Sequence, residues 1–287
     1  MPDAPLRADL HLHTHASDGS NAPSEMMRLA KAAEIAVVAV TDHDTVAGVQ
    51  GAKEAAKALG LALIPGLELS VGDAEEVHLL AYGIPPDSPA LLALLDAMME
   101  RRRARMAQIL NNLRALGLPL SAAEVTAPDG RFMGRMNTAR AMVTRGYAAS
   151  GHDAFDRYLN PGRSGYAPAN RLSITEGIAQ LTGLGAVVSL AHPGRLAIPE
   201  EIWTARLPGW IEAGLSAIEA YHPSHPEGDA LRYDRLARRH GLLVTGGSDC
   251  HGALPGHSGI GDHLRHWHTA RADVAALLKR IAQPKRG

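Results

Sequence analysis

The amino-acid sequence predicts an α/β fold: a distorted barrel or incomplete barrel of about seven strands, interrupted by a small inserted helical domain. Three observations predict it. Short apolar runs suited to strands buried on both faces alternate with amphipathic helical stretches in the first and last parts of the chain. That rhythm stops between residues 86 and 168, where no convincing strand occurs. Nearly every apolar run is followed by a histidine or a carboxylate, as expected where side chains gather at the C-terminal mouth of a barrel.

Leu6–Leu12 reads as the first strand and leads into His13. Ala22–Ala33 reads as a helix with Ser20 or Asn21 as its cap. Ile35–Val40 is a compact strand ending at Thr41-Asp42-His43-Asp44, and Val46–Leu59 is a helix stopped by Gly60. Leu61–Pro65 is the next strand, with Gly66-Leu67-Glu68 at its end, and Val77–Tyr82 is another, carrying His78. The strands and helices are expected to form parallel β/α units throughout.

In the interruption, Leu91–Leu116 reads as a long helix ended by Gly117, followed by short helical segments at Ala122–Ala127, Arg135–Arg145 and His152–Leu159. The run Pro161-Gly-Arg-Ser-Gly165 marks its right boundary. The chain therefore divides into two barrel parts, residues 1–85 and 169–287, around a helical cap at 86–168. In the second barrel part, Ile174–Leu184 is a helix, Ala186–Leu190 a strand ending at His192-Pro193, and Ile198–Leu207 a helix. Ala217–Tyr221 is a strand leading to His222, Leu231–His240 a helix, and Leu242–Thr245 a strand feeding Gly246-Gly-Ser-Asp249. One further edge strand is expected near the end.

Composition narrows the function. With 287 residues, 46% of them hydrophobic, the chain can bury a substantial core, and aromatics at 4% leave that core to Ala, Leu, Val and Ile. A net charge of -1 excludes a generally basic surface for double-stranded DNA while leaving small anionic substrates open. The single cysteine, Cys250, rules out an internal disulfide. No apolar run approaches the ~20 residues of a membrane span, and the start MPDAPLRADLHLH is unlike a secretion signal. The expectation is a cytoplasmic protein with no membrane partner.

The histidines and carboxylates at the strand exits read as metal ligands. His11 and His13 are two apart, so on an extended chain they point to one face. His13 and His15 share that spacing, but His11 and His13 continue the apolar strand, whereas His15 belongs to the loop with Asp18. His43 adds an imidazole, and Asp42 beside it is a carboxylate able to orient one and is assigned to the catalytic set. Glu68 and Asp249 have the two oxygens needed to bridge cations. His78, His192 and His251 complete the candidates. Any one of these alone would read as a capping carboxylate or a surface histidine; their repeated attachment to strand ends favours one polynuclear centre.

These motifs carry a resemblance. Asp9-Leu-His11-Leu-His13 with Ser17-Asp18-Gly19, Thr41-Asp42-His43-Asp44-Thr45 with Gly48, Gly66-Leu67-Glu68, His192-Pro193 and Ser248-Asp249-Cys250-His251 resemble the PHP (polymerase and histidinol phosphatase) metal-dependent phosphoesterases. Gly134-Arg135 through Ala139-Arg140, and Tyr158 through Tyr166, are similar to the branch that holds 3',5'-nucleoside bisphosphate phosphatases and 5'-3' exoribonucleases. The resemblance implies a distorted seven-stranded PHP barrel and three divalent metal ions, manganese first, with iron or zinc as substitutes. It implies one ion on His11, His13, Glu68 and Asp249, a second on Glu68, His78 and His192, and a third on Asp18, His43 and His251. The branch often carries a histidine after Gly-Arg where this chain has Met136-Asn137, so Asn137 bears on substrate identity.

The reaction expected is phosphoester hydrolysis by a metal-bridging hydroxide, because bound cations lower the pKa of water. Arg135, Arg163 and Arg195 are the candidate phosphate contacts, since a guanidinium matches phosphate oxygens bidentately, and Asn137 and His225 join them. His222 is a candidate catalytic residue, to orient the phosphoryl group or protonate the leaving oxygen. Cys250 reads as a small packing residue, and Arg101–Arg105 with Glu100 as a solvated helix face. The leading expectation is release of the 3'-phosphate from a nucleoside 3',5'-bisphosphate. The alternatives are a nuclease on the 5' ends of short RNA, a histidinol-phosphate phosphatase, and a non-catalytic module that binds metal and nucleotide.

Overall fold

The computed structural model describes residues 6–72, 76–126, 133–196, 198–252, 258–267 and 270–283. Seven strands form one curled sheet in sequence order: β1 (Ala8–Leu12), β2 (Val37–Val40), β3 (Ala62–Val71), β4 (Val77–Tyr82), β5 (Val187–Leu190), β6 (Leu215–Tyr221) and β7 (Leu243–Gly246). The described helices are α1 (Pro23–Ala32), α2 (Ala47–Leu59), α3 (Pro89–Ala115), α4 (Arg135–Thr144), α5 (Gly151–Ala154), α6 (Ile174–Gly183), α7 (Glu200–Glu212), α8 (Glu227–Arg239) and α9 (Ala270–Ile281).

The alternation of side chains explains the layering. In β2, Val37 and Ala39 face the main core, while Val38 and Val40 pack with Met26, Met27, Ala52 and Ala56 of α1 and α2. A strand covered on both faces has no polar side to show, which is why its sequence is a continuous apolar run. The two edges of the sheet meet through the segment after β7. His13 N–H donates to Cys250 O at 3.1 Å, and Asp249 N–H donates to His11 O at 2.9 Å.

The parallel expectation fails at one place. β3 pairs antiparallel with β4, and β4 pairs antiparallel with β5, while the remaining neighbours are parallel. β3 also runs to Val71 and carries Glu68 within the strand, where the hairpin with β4 extends the pairing past Pro65. The expected cap of α1 is absent: Ala22 occupies the cap without a side-chain bond, and Pro23 opens the helix, its missing N–H falling on a group that has no helical partner anyway. Gly60 ends α2 in the left-handed conformation, as the sequence suggests. α7 begins at Glu200 and continues through Pro208 to Glu212, later and longer than its apolar pattern indicates. No strand follows β7 among the described residues; the C-terminal stretch instead forms α9, whose Val274 and Leu277 join the main core. The helical segment expected at Ala122–Ala127 is a 3₁₀ turn over Ala122–Val125, and Ala127 lies outside the described residues.

α3 serves two cores. Leu91, Leu95 and Met98 pack into the sheet's core. Met106, Ile109, Leu110 and Leu113 pack with Val125, Met142, Leu159 and Ala167 in a cluster of their own. The helical segment thus has its own apolar interior, rigidly continued from the barrel by one helix. No described helix is long and apolar enough to cross a membrane.

Candidate metal centre

The curled sheet brings ligands from most of its strands to one rim. His11 lies within β1 near its end and His13 follows the strand; His43, His192, Asp249 and His251 lie in the loops after β2, β5 and β7. Glu68 projects from β3, and His78 stands near the start of β4. Because β4 runs antiparallel, its beginning lies at the rim where the parallel strands end.

Glu68 is the hub. Its Oε2 lies 3.1 Å from His11 Nε2, 3.2 Å from His13 Nε2 and 3.1 Å from His43 Nδ1. Its Oε1 lies 3.0 Å from His78 Nδ1 and 3.1 Å from His192 Nε2. Asp249 Oδ1 approaches His13 Nε2 at 3.1 Å and His11 Nε2 at 3.4 Å. Asp18 Oδ1 lies 3.3 Å from His251 Nε2, and Asp18 Oδ2 lies 3.8 Å from His43 Nε2.

Three sets of donor atoms follow, each within 4.8 Å of one another: His11, His13, Glu68 and Asp249; His13, Asp18, His43 and His251; and His43, Glu68 and His78. The first equals the set implied by the resemblance. The second adds His13 to Asp18, His43 and His251. In the third His43 stands where His192 was expected, although His192 Nε2 also reaches Glu68. His15 joins none of these sets.

The donor set fits divalent cations. His11 Nε2, both ring nitrogens of His13 and Glu68 Oε2 are buried and make no hydrogen bond, although their neighbours are close. Buried polar atoms without partners are costly, and a shared cation satisfies them together. Burial disfavours charge on Glu68, Asp18 and Asp249, yet the surrounding histidines hold all three well below the usual carboxylate range. The centre therefore joins ionised carboxylates to imidazole donors, a combination suited to manganese, iron or zinc.

Backbone and packing show what holds these side chains. Among the described residues only four non-glycine residues have positive φ, and three belong here: Asp44 (φ 50), His192 (φ 27) and Asp249 (φ 53). Such conformations cost energy and persist where surrounding contacts fix them. Gly247 is needed because a Cβ there would collide with the His11 side chain and lie 2.5 Å from His11 N.

Asp42 faces away from the donor sets and organises the loop after β1. It accepts from Thr14 N and Ser17 Oγ at 2.7 Å each, and from Thr14 Oγ1 at 2.8 Å. Gly48 leaves room for that carboxylate. Glu219, on β6, was not singled out in the sequence. Fully buried, it accepts from His11 Nδ1 at 3.0 Å and from His192 N at 2.8 Å. Its bond to Nδ1 leaves His11 Nε2 for a metal, the usual task of a carboxylate behind a ligand histidine. Asp9, also buried, accepts from Ser248 N at 2.8 Å and holds the exit of β7.

A cleft of about 360 Å3 opens on the centre. Its far wall carries Arg102, Arg105 and Arg135 with the apolar side chains Met106, Met136 and Phe155, and Arg195 stands at its side. A larger cavity of about 890 Å3 lies elsewhere, beside α6 and α7. Among the described residues it holds no metal-ligand cluster, whereas the smaller one does.

The predicted substrate contacts separate. Arg135 lines the cleft and donates to Glu76 at 2.6 Å; Arg195 lines it and donates to Asp249 Oδ2 at 2.6 Å. Arg163 is exposed on the turn after Leu159 and does not line the cleft, because its side chain points outward from that turn. Asn137 is buried in α4 behind the lining, its Oδ1 3.5 Å from Arg140. His225 is engaged at both nitrogens, with Gly194 N at 3.1 Å and Ala220 O at 2.8 Å. His222 also stands behind the lining: Ser224 N–H donates to its Nδ1 at 3.0 Å, so Nε2 carries the proton, 3.4 Å from Asp249 Oδ2. That nitrogen is buried and makes no hydrogen bond.

The Arg101–Arg105 stretch is not simply a solvated face. Arg102 pairs with Asp44 and donates to Ser70 Oγ at 3.1 Å, and Arg105 donates to Ala167 O at 2.9 Å. A single turn of α3 thus pins the helical segment to the rim. Arg140, from α4, adds a bond to Asp18 O at 2.6 Å. Cys250 is buried among apolar side chains, and burial pushes its thiol up, consistent with a packing role.

Comparisons with known proteins give the family. Residues 9–115 match the PHP domain. The chain is 33% identical to a 3',5'-nucleoside bisphosphate phosphatase of Chromobacterium violaceum over 254 residues, covering 88% of each protein. It is 34% identical to a 5'-3' exoribonuclease of Escherichia coli over 253 residues, covering 86% of each. Among solved structures, an amidohydrolase from Chromobacterium violaceum with bound sulfate and no metal superposes with a TM-score of 0.82 at 32% identity, covering 89% of this chain and 90% of that one. With relatives of 33% and 34% identity matched over most of both chains, the chain belongs to the PHP family of metal-dependent phosphoesterases.

Proposed function

We propose that the enzyme removes the 3'-phosphate from nucleoside 3',5'-bisphosphates, converting adenosine 3',5'-bisphosphate to AMP and phosphate. The observation that carries this reading is the cleft that opens on the ligand cluster. Its lining joins that cluster to arginines and to Met106, Met136 and Phe155, partners for charged and apolar parts of one nucleotide. Beside Arg102 and Arg105 lies a further niche of about 30 Å3, lined also by Asn170 and Arg171. Similarity to the bisphosphate phosphatase supports the same substrate, and similarity to the exoribonuclease makes short RNA the competing one.

Three divalent ions, manganese foremost, would be held by His11, His13, Asp18, His43, Glu68, His78, His192, Asp249 and His251. When bound they supply an activated water at neutral pH and withdraw charge from the phosphoryl oxygens. The chain's own residues set the geometry. Glu219 fixes His11 and the His192 backbone, Arg195 holds Asp249, and Asp42 keeps the loop of Asp18 in place. Arg195 is 54% exposed at the side chain and so is free to turn from Asp249 toward an entering phosphate. The helical segment, tied down through Arg102 and Arg140, acts as a cap that closes the far wall. The expected compartment is the cytoplasm.

The test is side-by-side turnover of adenosine 3',5'-bisphosphate, its 2',5' isomer, histidinol phosphate and 5'-phosphorylated RNA oligomers with manganese. The 3',5'-bisphosphate is expected to have the highest kcat/KM. A clear preference for an oligomer would reverse the assignment.

A further inference from the structure

Glu76 immediately precedes β4, and His78 is the second residue of that strand. Residues two apart on an extended chain point to one side, so the carboxylate and the imidazole meet at the rim. Glu76 Oε1 lies 3.5 Å from His78 Nε2. The other ring nitrogen, Nδ1, lies 3.0 Å from Glu68 Oε1 and 3.3 Å from His192 Nε2, on the side of the metal centre.

An imidazole that gives Nδ1 to a cation keeps its one proton on Nε2, and that N–H needs an acceptor. Glu76 Oε1 is the oxygen that faces it. The other oxygen of Glu76 is already engaged, because Arg135 Nη2 donates to Oε2 at 2.6 Å and Arg171 Nη2 donates to it at 2.5 Å. These two guanidiniums come from separate parts of the chain. Arg135 opens α4, whereas Arg171 lies in the stretch leading to α6 and is only 9% exposed at the side chain. Charge-assisted bonds from two directions restrict rotation of the carboxylate and leave Oε1 turned toward the ring.

We propose that Glu76 is a positioning residue of the metal centre: it fixes the tautomer and tilt of His78, and Arg135 and Arg171 fix Glu76 in turn. The proposal rests on the reading of the rim as a centre for three divalent ions. Glu76 then does for His78 what Glu219 does for His11, from the rim instead of the sheet's interior. Its influence is confined to one ion, since His78 belongs to the set with Glu68 and His43 and to neither of the other two. Because Arg135 belongs to α4, the clamp also joins the helical segment to that ion's ligand.

The experiment measures manganese bound per chain by elemental analysis, at free manganese set by a chelator buffer, in wild type, E76A, H78A and the double variant. E76A is expected to raise the free manganese needed for one equivalent about tenfold or more while the other equivalents titrate as in wild type. H78A should weaken the same equivalent further, and E76A should add nothing to it in the double variant, because Glu76 acts through His78. E76Q, isosteric with Glu76 and with an oxygen still able to accept from Nε2–H, is expected to fall between wild type and E76A. General damage to the fold would weaken all equivalents together and would add to the loss in H78A, and either result would overturn the proposal. So would manganese titrations of E76A within twofold of wild type at every equivalent. Wild-type protein that takes up no stoichiometric manganese would overturn the metal centre and this proposal with it, whereas full wild-type uptake with an unaltered E76A would overturn this proposal alone.

Discussion

Replacing Glu219 by Gln isolates the contribution of a residue that touches no substrate. Glu219 is fully buried and accepts two hydrogen bonds, one on each oxygen, from His11 Nδ1 and His192 N. The charge of His11 holds Glu219 down at about 2 against the cost of burial, so it is ionised at neutral pH. Glutamine keeps the shape but has one acceptor and one donor end. If its NH2 faces His192 N–H, two donors meet in a buried site, costing about 1–3 kcal/mol. If its NH2 faces His11, the imidazole must accept at Nδ1 and carry its proton on Nε2, the atom directed at Glu68 and Asp249. Either arrangement harms the first ligand set, and loss of such a carboxylate typically weakens metal binding about 10- to 100-fold. That range corresponds to about 1.4–2.7 kcal/mol. Chelator competition with manganese, read by elemental analysis, would give the affinity, and calorimetric melting of metal-stripped protein would give the change in fold stability. Retention of wild-type metal content and an affinity within twofold would refute the role assigned to Glu219.

Further outcomes follow from the same geometry. H13A and D249A are expected to abolish phosphate release and to lower bound metal, since His13 belongs to two ligand sets and Asp249 to the first; full turnover by metal-stripped wild-type protein would contradict a hydrolytic metal centre. G247A should lose metal and stability together, by roughly 2 kcal/mol or more, because the added Cβ meets His11; melting temperature and metal content check it, and an unperturbed variant would mean that the loop moves aside. Metal binding should release protons. Burial opposes charge on His13 and His78, but Asp249 and Glu68 beside the first, and Glu68 and Glu76 beside the second, push both up to about 10. At pH 8 both rings therefore hold an extra proton without metal and must shed it to ligate, so affinity should rise with pH up to about 10. Calorimetric titration in buffers of different ionisation enthalpy counts the protons, and a pH-independent affinity would contradict this account.

Local rules carried much of this structure. Val77–Tyr82 is a strand with the expected bounds, and Gly60 stops α2, because alternation and a left-handed stop are properties of a few adjacent residues. The ligand types were legible for the same reason: each histidine or carboxylate sits next to its own apolar run. The substrate contacts were less so. Arg135 and Arg195 reach the cleft, but Arg163, equally suited in chemistry, points outward from its turn, and Arg102 and Arg105, read as a solvated face, line the wall. An arginine looks alike in sequence whichever way its helix or turn is rotated against the barrel. The composition gave no sign of that rotation, which the packing of α3 into two cores decides.

By itself, the sequence determined that strands buried on both faces would be followed by histidines and carboxylates and that a helical stretch would interrupt them. The tertiary structure alone decided that β4 runs against its neighbours, so that His78 joins the rim from the start of a strand. It alone placed Glu219 behind His11, across a sequence separation of 208 residues, and set Glu76 between Arg135 and Arg171. The physical reason is common to these cases. The side-chain period of a strand is the same in either direction, and a buried carboxylate is identified by the donors that surround it, which come from distant parts of the chain.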